Sequence, residues 1–459
     1  MKSILLSFVV FFLFFNADIL CGQKKINQKF KKETIFKIDT LLQQNYIFPD
    51  QAQLIAKHLK EKLKNGAFNK YELLDSFAVA LTKEIRFINN DKHLGIWPAF
   101  APSKTKENSD NDYEIYLRNY TNIRKQANGF AEVKILNNNI GYLNISFFLS
   151  ETNQTIDSYM NLISNTDALI IDLQNNGGGN PKTVNYLCSY FFKNHLLTNT
   201  MYFRKQNRKE DIYTHEVEGR KLITIPLVIL MGPKTFSGAE EFIYTMQTQK
   251  RAVLIGETTA GAANPGDVFS INSNLEIFIP TGTSTNPVTK TNWEATGIIP
   301  EIKTSAESAY DKAVVLANKL AEEYRNKTAS ESKAIYTELQ MIIDSATKLS
   351  VQNEIDQRII EVLNKGIDLN LFSEKDINFF GSQNIKNKPL VAESILKSNA
   401  ILYPKSPIAL LNYGDMLELN GKKELALINF AKAVALADEQ KAPYLEGLKM
   451  RYEKAKNSN

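Results

Sequence analysis

The stretch LVILMGPKTFSGAEEF, Leu227 to Phe242, decides how this chain is read. Its first five residues are continuously apolar, as in a strand covered on both faces. Gly232 and Pro233 end the run. A small-residue turn then presents Ser237, and GAEEF opens a helix whose Glu240 and Glu241 suit the positive end of the helix dipole. A serine at such a junction is ordinarily an N-cap, its hydroxyl accepting from first-turn N–H groups. A nucleophile uses the same place differently. Those N–H groups then stabilise the negative charge formed on attack, and Gly238 lets a carbonyl come close.

The same strand–turn–helix pattern precedes it in ALIIDLQNNGGGNP, Ala168 to Pro181. Three consecutive glycines cost backbone entropy unless the chain turns sharply or approaches something closely. Their N–H groups, at the end of a strand, can receive an oxyanion. A flexible turn is the plain alternative, and no Lys-Ser/Thr follows as a phosphate loop requires. Asp172 is read as fixing this turn through backbone bonds, and Pro181 as a first-turn residue. AEVKILN and IGYLNISFF pair as a hairpin through NNN. Residues 151–165 and KTVNYLCSYFFK read as helices, RAVLIGE and LEIFIPT as strands. The alternation predicts an α/β domain ending near Ile302.

Upstream, residues 30–88 carry apolar residues at three- and four-residue intervals, predicting three helices with a break at Pro49. Residues 101–128 are polar and read as a loop or cover segment. Beyond Ser305 the pattern is helical. There Gly414, Ala426, Phe430 and Ala433 fall at the small and aromatic positions of a tetratricopeptide repeat. Ala392 matches Ala426 one period of about 34 residues earlier, and Pro404 falls where that earlier repeat ends. An ordinary helical hairpin is the competing reading.

A net charge of +5 spread along the chain points away from nucleic acid as a partner. The N-terminus, MKSILLSFVVFFLFFNADILCGQ, has Lys2 before a short apolar run, which suits a signal-peptide core cleaved near Cys21 to Gln23. Lipidation at Cys21 is disfavoured by the bulky Leu20 before it. The protein is therefore expected outside the cytoplasm (secreted, periplasmic or in the cell envelope) with no stable membrane span once the signal is removed. Cys188, on an apolar helix face, reads as a buried inert thiol.

A serine hydroxyl needs a base. A lysine downstream or a histidine from elsewhere would serve. Of the four histidines, His58 and His215 read as surface residues and His195 as a helix C-terminal residue. His93 stands apart in the compact turn DKHLG, where the helical region meets the sheet region. No cluster has metal-ligand spacing and no dinucleotide fingerprint occurs, so neither metal nor cofactor is expected.

GYLNISFF, ALIIDLQNNGGG, PLVILMGPKTFSGAEEF, VLIGETTAG and NWEATGIIPEI together resemble, in order and spacing, the serine peptidases of the C-terminal-processing-peptidase superfamily. That superfamily includes tricorn protease and interphotoreceptor retinoid-binding protein. The resemblance extends upstream through DKHLG and covers roughly residues 30–305. Its tail-processing branch uses a serine–lysine dyad in T-x-G-K-G and carries a PDZ domain. Here TTAGAA puts Ala262 in the lysine's place, and between His93 and Gly141 there is room for only about half a PDZ domain. The resemblance is therefore to the tricorn-like branch, which uses serine, histidine and glutamate. It implies Ser237 as nucleophile, His93 as base, Glu294 as the group orienting the imidazole, and the N–H groups of Gly178 (or Gly177) and Gly238 as an oxyanion hole. Lys92 stands where tricorn-like sites often place a serine.

The resulting expectation is a crotonase-like ββα core with an N-terminal helical region and an all-helical, tetratricopeptide-like C-terminal domain. The boundaries are residues 1–22 for the signal, 23–90 for the helical region, 91–305 for the peptidase core and 306–459 for the tail, with the repeat near 376–438. The expected function is a secreted serine endopeptidase acting on peptide or protein substrates without a cofactor. Two alternatives are a carrier of hydrophobic ligands on the same fold, and an inactive scaffold whose helical tail docks a protein partner.

Overall fold

The computed structural model describes residues 24–99, 127–345, 352–369 and 371–457, with Leu117, Thr121 and Arg124 as isolated positions. The signal segment, Cys21 and nearly all of the polar segment 101–128 lie outside the described residues. The chain divides into two compact units, Met1–Tyr324 and Arg325–Asn459.

The strands of the first unit, in chain order, begin with β1 (Gly95–Pro98), β2 (Phe130–Leu136), β3 (Ile140–Ile145), β4 (Ala168–Asp172), β5 (Leu197–Phe203) and β6 (Arg208–Tyr213). They continue with β7 (Leu227–Met231), β8 (Val253–Gly256), β9 (Gly266–Asn272), β10 (Leu275–Pro280), β11 (Gly282–Thr285) and β12 (Ile302–Lys303).

A six-stranded sheet has the order β12-β8-β7-β4-β3-β2. All its neighbours are parallel except β2, which closes on β3 as the expected antiparallel hairpin. Its turn places Asn138 and Asn139 in the left-handed region, which asparagine tolerates. The apolar runs of β4 and β7 are continuous because both faces are covered. Leu169, Ile171, Ile229 and Met231 pack with the helices Asn153–Leu162, Pro181–Ser189 and Gly238–Thr248. Ile170, Val228 and Leu230 face the other way, against Ala309, Ala313, Ala317 and Ala321. Those four alanines recur at one helical spacing on Ala306–Ser345 and let its backbone approach the sheet. The expected boundary at 305/306 begins this helix, whereas the compact unit runs on to Tyr324.

The helices Gln28–Asn45, Pro49–Lys64 and Leu74–Arg86 match the three expected, with Pro49 opening the second. They form a separate apolar core with a sheet of order β1-β10-β9, through residues such as Leu42, Phe77, Leu81, Ile96 and Ile277. A third sheet, β11-β5-β6, was not read from the sequence: β6 is RKEDIY, with no buried face to produce an apolar alternation.

The second unit is helical throughout its described residues, with Gln352–Asp368, Glu374–Asn384, Pro389–Leu402, Pro407–Leu419, Lys423–Glu439 and Leu445–Asn457. Ala392, Ala426, Phe430 and Ala433 are buried there. A Cβ at Gly414 would stand 2.5 Å from the Phe430 ring, so glycine is what lets those two helices close. Cys188 is buried and unpaired, and burial pushes its thiol up. Among the described residues, no helix is long and apolar enough to cross a membrane.

Candidate active site

Ser237 sits between β7 and the helix Gly238–Thr248 with φ 52° and ψ −118°, a conformation costly for any residue bearing a side chain. Several bonds hold it there. Its N–H donates to Glu240 Oε2 at 2.9 Å, a reaching-back bond that an N-cap box also contains. The turn before it is fixed by Thr235, whose hydroxyl donates to Leu173 O (2.8 Å) and accepts from Gly232 N–H (2.9 Å). Phe236 N–H donates to Asn176 O at 3.0 Å. The strained turn points Oγ at His93, whose Nε2 lies 3.1 Å away across 144 residues of sequence.

His93 precedes β1 in a loop pinned on both sides by Arg86, which donates to Leu94 O (2.6 Å) and Lys92 O (2.8 Å). Asp91 Oδ1 accepts from the His93 N–H at 3.0 Å. The ring is buried between Phe236, edge-on at 4.8 Å, and Phe278, stacked at 5.6 Å. Burial, reinforced by the Arg86 charge, pushes the imidazole down to about 3 and keeps it neutral at physiological pH. The Lys92 backbone serves the loop through its carbonyl.

Glu294 reaches the same place from the loop before β12. Its Oε2 accepts from Ala263 N–H at 2.7 Å. Oε1 and His93 Nδ1 are both buried without a hydrogen-bond partner, so the third pair of the expected constellation is near but not bonded. One donor atom each of Asp91, His93 and Glu294 lies within 4.8 Å of the others. Burial and then the Asp91 charge raise the Glu294 carboxyl, and burial raises Asp91. Asp91 also accepts from Tyr46 Oη at 2.9 Å. Asn264 is wholly buried beside Asp91, where its side-chain amide helps to hold the Asp91 carboxyl down against the effect of burial.

Two residues of structural weight escaped the sequence reading. Glu240 reads in sequence only as a first-turn acid suited to the helix dipole. It is fully buried, and besides Ser237 N–H it accepts from Thr259 Oγ1 (2.6 Å), Gly261 N–H (2.6 Å) and Ala262 N–H (2.9 Å). Burial outweighs these donors and lifts its carboxyl to about 7. Asp91 was quoted within DKHLG but only His93 was weighed. The signal available was its place two residues before the histidine, where an aspartate can accept from a backbone N–H.

The glycine turn requires one correction. Gly178 N–H donates to Asn176 Oδ1 at 2.8 Å, so it is engaged and does not point at an incoming oxyanion. Asn176 also donates to Ile145 O at 2.9 Å and thereby ties the turn to β3. Gly177 N–H makes a long contact of 3.4 Å with Ser146 O. Gly178 instead gives close approach: a Cβ there would lie 2.9 Å from Ser237 Cβ. Gly179 and Gly238 N–H have no acceptor among the described residues, and a Cβ at Gly238 would stand 3.2 Å from Gly179 N. The other histidines lie elsewhere. His58 bonds Glu84 at 2.6 Å, and His195 and His215 are exposed. Asp172 accepts from Gln174 N–H and Tyr142 Oη, close to the role expected of it.

Known proteins resemble this chain in both regions that build the site. The model of peptidase family S41 matches residues 139–304, and that of the N-terminal domain of Peptidase_S41 in eukaryotic IRBP matches residues 27–127. A carboxyl-terminal-processing peptidase 2, chloroplastic, of Arabidopsis thaliana is 22% identical over 165 residues, 35% of this chain and 31% of that protein. A carboxyl-terminal-processing protease of a Picosynechococcus species is 25% identical over 134 residues, 29% of this chain and 31% of that protein. The chain thus spans about a third of the length of these relatives. A solved structure of a candidate peptidase from Parabacteroides merdae aligns at 15% identity and TM-score 0.46, over 62% of this chain and 96% of that one.

Proposed function

Because this chain belongs to the S41 peptidase family, we propose that it is a serine peptidase that hydrolyses peptide bonds through an acyl-enzyme. The observation that carries the proposal is the 3.1 Å approach of His93 Nε2 to Ser237 Oγ. Neutral His93 takes the hydroxyl proton as Oγ attacks the substrate carbonyl. The oxyanion is received by Gly238 N–H, with Gly179 N–H in place of Gly178. The imidazolium forms beside Asp91 and Glu294, whose charge offsets the burial that keeps the ring neutral at rest. It then protonates the leaving amine. Water attacks the ester with His93 again as base, which restores Ser237.

Ala262 supports the histidine route over a serine–lysine dyad, since the position offers only a buried methyl group. The ligand-carrier alternative gains nothing from Phe148 and Phe191, which are core residues packed near Phe242. Endopeptidase cleavage, a crotonase-like core, secretion to the cell envelope and a tetratricopeptide-like tail that docks a protein partner belong to the same proposal. The test is release of new amino termini from an unfolded protein such as casein. The wild type should cleave it, while Ser237→Ala and His93→Ala should not. Undiminished cleavage by folded Ser237→Ala sinks the proposal.

A further inference from the structure

We propose that Asp91, His93 and Glu294, with the Asn264 carbonyl beside them, form a divalent-cation site whose occupancy switches the peptidase off; the switching rests on the reading of Ser237 and His93 given above, the binding does not. Donor atoms of the three titratable side chains already lie within 4.8 Å of one another. That spacing is close to what one ion with ligands at roughly 2.0–2.4 Å imposes on its donors, once the side chains shift slightly.

The second observation is independent of the acidic pair. His93 Nδ1, Glu294 Oε1 and Asn264 Oδ1 are buried with no hydrogen-bond partner, while the Asn264 amide group is turned to Asp91. Buried polar atoms are almost always paired, and an unpartnered imidazole nitrogen with two unpartnered oxygens in one place marks a site that can give lone pairs to an electron-poor ligand. Arg86 supplies positive charge nearby, without a direct ion pair among the described residues. Its hydrogen bonds go to the carbonyls of Lys92 and Leu94. An imidazole nitrogen with carboxylate oxygens suits zinc and its first-row neighbours, and suits magnesium or calcium poorly. No regular spacing announces this set, because its members come from the loop before β1 and two loops more than 170 residues downstream.

The consequence for chemistry follows from the two ring nitrogens. Nε2 is turned to Ser237, which leaves Nδ1 as the metal ligand. A neutral imidazole that gives its Nδ1 lone pair to a metal carries its proton on Nε2. Nε2 then donates to Oγ and cannot take its proton. Glu294 is occupied at the same time. As the ion binds, the proton that the resting base carries on Nδ1 is released and Nε2 takes one up, so one N–H bond breaks and one forms; removing the ion allows the reverse shift and restores the base.

The experiment uses the full chain stripped by a chelator, with Zn2+ as the probe. Zinc binding is followed by calorimetry, and reactivity by the rate at which a fluorophosphonate labels the protein. Wild type should bind one ion per chain and lose labelling over the same concentration range, with recovery on adding EDTA. Ser237→Ala, which keeps every donor, should bind zinc unchanged. Asp91→Asn and Glu294→Gln should each weaken binding by about tenfold or more. Two carboxylate variants are used so that a folding failure in one leaves the other informative. Absence of binding overturns the proposal, as does binding that both variants leave untouched. Zinc binding that depends on the two carboxylates, in a protein that never labels, upholds the site and removes the peptidase reading instead.

Discussion

Glu240 offers the sharpest mutational test, because its removal acts on Ser237 through a single buried carboxylate. Oε2 receives Ser237 N–H and Ala262 N–H, and Oε1 receives Gly261 N–H and the Thr259 hydroxyl. In Glu240→Gln one oxygen becomes an NH2 group. Thr259 can rotate its hydroxyl to accept from that group, whereas a backbone N–H cannot turn, so the NH2 should settle on the Thr259 side. Ser237 then keeps its bond, and only Gly261 N–H is orphaned, at a cost of about 1–3 kcal/mol. Glu240→Ala strips all four donors. With water filling part of the space, we expect a loss of about 3–5 kcal/mol. The serine then loses the anchor that holds its φ of 52°. A displacement of the nucleophile by about 1 Å should slow fluorophosphonate labelling by about a hundredfold. The assay pairs urea unfolding with labelling rates for both variants. Labelling of Glu240→Ala at the wild-type rate, or a stability change below about 1 kcal/mol, refutes the reasoning.

Glu241 is buried with Asn199 as its hydrogen-bonding partner at 3.0 Å, and burial lifts its carboxyl from the ordinary 4.5 to about 7. The folded state therefore holds the proton more tightly, so this group's contribution is intact below pH 4.5 and lost as pH rises through about 7. Glu241→Gln should raise stability by about 3 kcal/mol at pH 8 and by little at pH 4, as read from unfolding curves at the two values. In the second unit, Gly414→Ala forces a Cβ to within 2.5 Å of the Phe430 ring. It should cost about 1–3 kcal/mol, seen as faster proteolysis of residues 325–459, with Ser237 labelling unchanged.

The parts of this molecule legible in its sequence were those with a strong local signal. Leu227–Met231 and Ala168–Asp172 announced buried strands because both faces are covered. Pro49 announced a break between helices, and it opens the second of them, where its missing N–H does no harm. The turn bearing Ser237 and the compact loop bearing His93 were legible as local features, and the fold brings the two side chains to 3.1 Å. The β11-β5-β6 sheet was not, since Arg208–Tyr213 exposes nearly every side chain. Glu240 illustrates a second limit: an acid in a first helical turn reads the same whether it faces water or four buried donors. Gly178 illustrates a third. Three adjacent glycines look alike in sequence, and only the position of Asn176 decides which N–H is already engaged.

The central claim is that one hydroxyl, activated by one imidazole, does the chemistry. Peptide mapping of the protein after brief exposure to a fluorophosphonate tests it directly. The account predicts a single modified residue, Ser237, and no modification when His93 is replaced by alanine in a protein that remains folded. Labelling spread over several serines, or labelling of Ser237 at the same rate without His93, contradicts it.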